Sequence, residues 1–114
     1  MHELALCEAI LDTVNRQAGG GRVDRVRVRI GYFRQVVPDS LLFSWELLTE
    51  GTDLAGCTLD IDHVPAIVEC RSCSARTNLD APILLCGSCL GSDVELLCGE
   101  EFLIASIDRV REVF

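Results

Sequence analysis

Apolar residues recur at steps of three and four near the start of the chain: Leu4, Cys7, Leu11, Val14 and Ala18, with Ile10 widening the stripe and Glu8, Asp12 and Arg16 lying off it. That spacing follows the 3.6-residue period and predicts an amphipathic α-helix over residues 4–18. Gly19-Gly20-Gly21 stops it, because consecutive glycines weaken a helix interior and suit its C-terminal turn. The period then changes to two. In Arg25-Val26-Arg27-Val28-Arg29-Ile30 the apolar residues point to a core and three arginines point away, the pattern of one half-buried strand ended by Gly31.

Pro38-Asp39-Ser40 predicts a helix start, since proline is tolerated and acids are favoured in a first turn. Over residues 41–50, Leu41, Leu42, Phe43, Trp45, Leu47 and Leu48 occupy most faces, so this second helix is expected to be well buried. A second strand covers residues 57–63, with Cys57, Leu59 and Ile61 on one face and Thr58, Asp60 and Asp62 on the other; Pro65 ends it. Residues 67–98 lack helical periodicity and read as a small separate module, and the β-rich run over residues 101–110 returns to the first sheet. The strand–helix–strand unit predicts a parallel pair with a right-handed crossover. The expected architecture is α+β: a three-stranded mixed sheet with two helices on one face, built from residues 1–66 and 99–114, with a zinc-ribbon-like module inserted at residues 67–98.

A chain of 114 residues that is 49% hydrophobic suffices for one modest core. No apolar run approaches the roughly 20 residues of a membrane helix, and Met1-His2-Glu3-Leu4-Ala5-Leu6-Cys7-Glu8 carries two acids and no base, unlike a signal or transit peptide. No membrane association is therefore expected. The net charge of -8, with ten Arg, no Lys and eighteen acids, argues against nucleic acid as a partner. The charge is also uneven. Six of the ten arginines lie between Arg16 and Arg34, whereas seven acids and no Lys or Arg lie between Gln35 and Cys70, which reads as a solvated surface or as an acidic docking face for a protein.

Cysteine is the chemical anomaly, at seven residues. An odd count and two Cys-x-x-Cys pairs point to a metal in a reducing, cytoplasmic setting, not to a disulfide framework. Cys70-Arg71-Ser72-Cys73 and Cys86-Gly87-Ser88-Cys89 are separated by twelve residues. Each loop can aim two thiolates at one point, and together they complete the sulfur tetrahedron that zinc prefers; iron fits the same cage. Four protein ligands leave no open position for water, so the site is expected to be structural. Gly87 and Gly91 are expected to allow the tight backbone of the second loop, while Cys7 and Cys57 read as core residues and Cys98 as a less defined thiol.

At the other extreme, the α-amine of Met1, the His2 backbone nitrogen and the His2 imidazole can close adjacent chelate rings around one cation, a nitrogen-rich set suited to nickel(II) or copper(II). The bulk of His2 favours retention of the initiator methionine. An α-amine, with a reference pKa near about 8, frees its lone pair near neutrality more readily than lysine. His63, at a strand end, reads as a structural histidine.

Met1-His2-Glu3-Leu4-Ala5-Leu6-Cys7, the strand ending at Gly31, the two Cys-x-x-Cys pairs and Gly99-Glu100-Glu101-Phe102-Leu103-Ile104 together resemble the HypA/HybF family of nickel metallochaperones, over essentially the whole chain. The resemblance implies nickel held loosely by Met1, His2 and Glu3, and structural zinc held by Cys70, Cys73, Cys86 and Cys89. It implies transient Ni(II) passed toward the nickel–iron hydrogenase large subunit, with a HypB-type GTPase as partner and urease as a second client of some members; a homodimer is a further assembly to be considered. An additional acidic nickel ligand would fall on Asp39. Where some members place a histidine beside a zinc cysteine, this chain has Ser74 and Leu90, which speaks against a histidine-for-cysteine switch. No nucleophile, catalytic dyad or phosphate loop is visible, so no enzyme is expected. Two other readings compete: a zinc-ribbon interaction module without nickel transfer, and a rubredoxin-like electron carrier with iron at the thiolates.

Overall fold

The computed structural model describes residues 2–19 and 22–110. Helix α1 spans His2–Ala18, followed by strand β1 (Val23–Gly31), a 3-10 turn at Tyr32–Arg34 and helix α2 (Pro38–Thr49). Then come β2 (Thr58–Val64), β3 (Ile67–Cys70), β4 (Arg76–Asn78), β5 (Val94–Cys98) and β6 (Phe102–Arg109). The strands form two three-stranded sheets, ordered β2-β1-β6 and β4-β3-β5. The chain divides into two compact units, one of Met1–Val28, Val36–Asp62 and Leu103–Phe114, the other of Arg29–Gln35 and His63–Phe102.

The larger unit is the α+β layer that the hydrophobic pattern predicts, with a mixed sheet and two helices. Val110 N–H donates to Arg22 C=O at one end of the β1/β6 pair and Gly31 N–H to Glu101 C=O at the other. The partner numbers run in opposite directions, so β1 and β6 are antiparallel. In a mixed sheet, β1 and β2 are then the parallel pair joined through α2. On β1 the alternation is as strict as the sequence: Val26, Val28 and Ile30 are buried, and Arg25, Arg27 and Arg29 are exposed. One covered face leaves one place for helices, and α1 and α2 pack against each other. On the outer face Arg25 and Arg27 both reach Asp60 of β2, at 3.2 and 3.9 Å. These pairs are exposed, so they contribute only a few tenths of a kcal/mol each, of order ~0.5.

Two expectations need correction. The buried stripe of α1 is Glu3, Cys7, Ile10, Val14 and Ala18, and Leu4 is exposed. The helix begins two residues earlier than its apolar pattern, and a step of four back from Cys7 falls on Glu3, whose carboxylate has the imidazole of His2 beside it. Nor is α2 buried on most faces. It buries Leu41, Trp45 and Thr49, a single stripe with steps of four, while Leu42, Phe43 and Leu47 remain exposed. One helix face is all that the layer covers; the other apolar residues are left outside.

The smaller unit has little core. Its buried apolar side chains among the described residues are Ile30, Val64, Ala66 and Val68, besides Cys70 and Cys86. Its three strands pair antiparallel, Val68 facing Thr77 on β4 and Leu96 on β5, with an irregularity between Ile67 and Val68. The backbone closes very tightly where Gly31 meets Gly99. A Cβ on Gly31 would lie 2.2 Å from the Gly99 carbonyl carbon and oxygen, and Gly99 itself has φ 122° with Ala66 Cα only 2.6 Å from where its Cβ would stand. Both clashes are with backbone, which cannot swing aside. Gly31→Ala is therefore expected to destabilise the protein by about 3 kcal/mol, the upper end of overpacking costs, as read from the urea midpoint; an unchanged midpoint would mean this approach is looser than it looks.

Candidate metal centre

Cys70 ends β3 and Cys86 follows the loop after β4, so each Cys-x-x-Cys segment is a turn leaving a fixed backbone position. The two turns repeat one hydrogen-bond plan. Cys70 N–H donates to Ala75 C=O (2.9 Å) and Ser74 N–H to Cys70 C=O (2.9 Å); Cys86 N–H donates to Gly91 C=O (2.8 Å) and Leu90 N–H to Cys86 C=O (3.0 Å). Each turn closes through a left-handed residue, Ser74 and Leu90, both at φ 63°. The expectation that Gly87 and Gly91 supply the special backbone is thus only partly met, since neither has positive φ. Gly91 instead leaves room for sulfur, because a Cβ there would sit 3.3 Å from Cys89 Sγ, and Gly87 N–H donates to Thr77 Oγ1 at 2.9 Å.

The four Sγ atoms of Cys70, Cys73, Cys86 and Cys89 lie within 4.8 Å of one another. Cys70 and Cys89 are 3.7 Å apart and Cys73 and Cys86 are 3.5 Å apart. A regular tetrahedron with metal–sulfur bonds of about 2.3 Å has edges of about 3.8 Å; these two separations are close to that, and the rest, none beyond 4.8 Å, close on a metal of that size by small side-chain movements. The backbone prepares the charge. Amides of Cys89 and Ser88 point at the Cys86 sulfur and bring its thiol down to about 6; amides of Cys73 and Ser72 lower Cys70 likewise. Cys73 receives an amide hydrogen bond from Ala75 that pulls downward, yet its neighbouring sulfurs, Cys86 first, push it up to about 11. Four thiolates this close repel one another, and a dication removes that conflict. The residues therefore fit a closed four-sulfur metal site.

The N-terminal candidates sit at the beginning of α1. Met1 lies outside the described residues. His2 Nε2 stands 3.1 Å from Glu3 Oε2, with the imidazole half exposed and Glu3 only 7% exposed overall. A carboxylate buried on an otherwise apolar stripe is costly unless paired, and no buried side-chain polar atom among the described residues lacks a partner. The sequence pattern did not place Glu3 on that stripe; its signal was an acid one helical turn before Cys7. Asp39 is exposed in the first turn of α2, and His63 is exposed on β2.

The three remaining thiols are separate from the sulfur cluster. Cys7 is fully buried and its S–H donates to Leu41 C=O at 3.2 Å; burial, with Glu3 adding repulsion, pushes it up to about 11. Cys57 is buried and likewise raised by burial, with Asp24 contributing. Cys98 is partly exposed and donates to Pro65 C=O at 3.3 Å. An unfolded chain releases the Cys7 proton near pH 9, whereas the folded chain keeps it to about 11. The folded state binds more protons in that window, so stability falls as pH rises through it. The urea midpoint is expected to drop between pH 9 and 11, and Cys7→Ala to flatten that drop; equal slopes would place the titration elsewhere.

Comparison with known proteins gives a consistent picture. The family model "Hydrogenase/urease nickel incorporation, metallochaperone, hypA" matches residues 1–109. The hydrogenase maturation factor HypA of Nostoc sp. is 34% identical over 113 residues, covering 99% of this chain and 98% of the relative, and that of Chlorobium limicola is 36% identical over 110 residues, covering 94% and 95%. The solution structure of the Ni metallochaperone HypA from Helicobacter pylori superposes with a TM-score of 0.64 at 22% identity, covering 98% of this chain and 100% of that one, which establishes likeness of fold.

Proposed function

The chain belongs to the HypA family of hydrogenase maturation and nickel incorporation factors, and from that premise we propose that it carries Ni(II) at its N-terminus for assembly of the nickel–iron hydrogenase active site. The observation that carries this reading is the His2–Glu3 pair: a half-exposed imidazole 3.1 Å from a carboxylate that the fold buries where leucine was expected. A carrier must bind its cargo firmly enough to acquire it and weakly enough to release it. The Met1 amine, the His2 nitrogens and the Glu3 carboxylate form a small ligand set with open positions, which suits exchange. The buried carboxylate fixes the ring, as acceptors beside metal-bound histidines do.

Zinc is the ion proposed for Cys70, Cys73, Cys86 and Cys89, as a structural ion in the inserted module of residues 67–98. When bound it supplies cross-linking of the two turns and no open position for chemistry. The partners proposed are a HypB-type GTPase as nickel source and the hydrogenase large subunit as recipient, with urease as a second client and a homodimer as a further assembly. The compartment proposed is the cytoplasm, where thiols stay reduced; among the described residues no helix is long and apolar enough to cross a membrane. The protein acts as a carrier, not an enzyme.

The test uses the chain's own first atoms. Calorimetric nickel titration of protein beginning at Met1 is compared with protein extended by Gly-Ser, which converts the amine into an amide. The extended form is expected to bind nickel at least about tenfold more weakly, about 1.4 kcal/mol. Equal affinity would place the nickel ligands elsewhere in the chain and remove the amine from the site.

A further inference from the structure

Helix α2 presents an apolar face that nothing in its own unit covers. Phe43 is 61% exposed, Leu47 53% and Leu42 38%. Phe43 and Leu47 are four residues apart, so they stand one above the other on one side of the helix. Beside them a groove of about 750 Å³ opens between α2 and residues 55–59. Trp45 lies at its base, 2% exposed, with its indole N–H donating to Cys57 C=O at 3.0 Å. The volume falls within the range that holds several apolar side chains, and the indole hydrogen bond fixes the floor.

The charge around the groove selects the occupant. Glu46 and Glu50 line it, both are exposed, and no ion pair engages either among the described residues. No Lys or Arg occurs between Gln35 and Cys70 to balance them. A second copy of the chain offers poor complementarity: its groove carries the same negative sign, and Arg25 and Arg27 on its sheet face are already turned to Asp60. An anionic lipid surface is repelled by the same carboxylates. A foreign protein segment with apolar anchors and flanking Arg or Lys satisfies both features. An amphipathic helix in a groove, read through anchors at i, i+3, i+4 and i+7, is the recognition mode that this surface matches. We infer that the α2 groove, with Phe43 and Leu47 as anchors and Glu46 and Glu50 as its charged rim, docks a basic amphipathic helix of a partner protein. The groove is composed of residues other than the metal ligands, so it can be tested without disturbing either metal.

The probe is a tryptophan-free synthetic peptide of about 15 residues, with Leu at i, i+3, i+4 and i+7 and Arg on the opposite face. Two controls carry the same residues scrambled, or Glu at every Arg position. Binding is read from the fluorescence of Trp45, the single tryptophan of the chain. The basic peptide is expected to shift the emission and to bind more weakly as salt rises. Leu47→Ser and Phe43→Ser, at exposed positions that leave the core intact, are expected to weaken it about tenfold each, the scale of interface anchors. The Glu46→Gln/Glu50→Gln pair is expected to weaken binding and flatten its salt dependence. Nickel titration and metal content of all three variants should match wild type, which separates this result from any failure of the nickel reading. Equal binding of the acidic or scrambled peptide, or of the serine variants, would overturn the inference. So would concentration-dependent dimerisation that the serine substitutions abolish, since the occupant would then be a second copy.

Discussion

Replacing Cys86 with serine is expected to release the thiolate-bound metal and unfold the backbone of residues 67–98, with the α+β unit retaining its structure. The reason lies in how little else holds the smaller unit together. Apart from Cys70 and Cys86 it buries only Ile30, Val64, Ala66 and Val68 among the described residues, too little apolar surface to order a unit of that size by itself. Its sheets are short: β4 has three residues and β3 four. Metal binding to a four-cysteine site contributes about 10–16 kcal/mol in small zinc-folded peptides, and it enters the folding free energy directly. Serine removes a ligand whose thiolate two backbone amides already favour. Hydrogen exchange is expected to accelerate throughout residues 67–98 in Cys86→Ser, and a strong chelator should reproduce that profile in wild type. Metal content by elemental analysis should fall to background in the variant. Protected amides after complete metal removal would show that the strands hold by themselves. Iron in place of zinc, with its visible thiolate charge-transfer band, would instead favour an electron carrier.

How much of this was legible in the sequence depends on the range over which each signal acts. The cysteine turns are local. Two sulfurs three residues apart on a tight turn can converge without help from elsewhere, so spacing alone identified Cys70, Cys73, Cys86 and Cys89, and the structure brings their sulfurs within 4.8 Å. The β1 alternation was equally transparent, because period two on a one-sided sheet leaves no ambiguity about which residues face the core. For α2 the pattern predicts a well-buried helix, because apolar residues on most faces do not say which face finds a neighbour. Only the sheet and α1 decide that, and they cover one stripe, Leu41, Trp45 and Thr49. On α1 the error was angular. Glu3 and Leu4 are adjacent, and either can continue a stripe through Cys7; hydropathy favours Leu4, whereas the imidazole of His2 beside its carboxylate lets Glu3 be buried. The left-handed closures at Ser74 and Leu90 were hidden for a related reason, since neither residue type advertises positive φ as glycine does.

The imidazole beside Glu3 is the second group whose removal has a large expected effect. His2→Ala is expected to weaken nickel binding at least about 100-fold, about 2.7 kcal/mol, because in the proposed site the imidazole closes the chelate rings with the amine. Loss of affinity without loss of fold is the distinguishing feature: the His2 side chain is half exposed, so the chain should still fold, with its melting temperature lowered only by the loss of Glu3's partner, and metal content at the four cysteines should not change. Glu3→Gln probes a different contribution. The amide keeps the size of the buried group but removes its charge, and substitutions of groups that orient metal ligands lower affinity about 10–100-fold. If Glu3 acts by holding the ring or ligating the cation, the double variant should lose little beyond His2→Ala, since the two residues act as one unit. Strict additivity would mean that they act independently. His63 gives the control: exposed on β2 and remote in sequence, it should be replaceable by alanine with no change in nickel affinity. Nickel binding that survives in His2→Ala and disappears in His63→Ala would move the cargo site to the other histidine and leave the N-terminal pair as a helix-end contact.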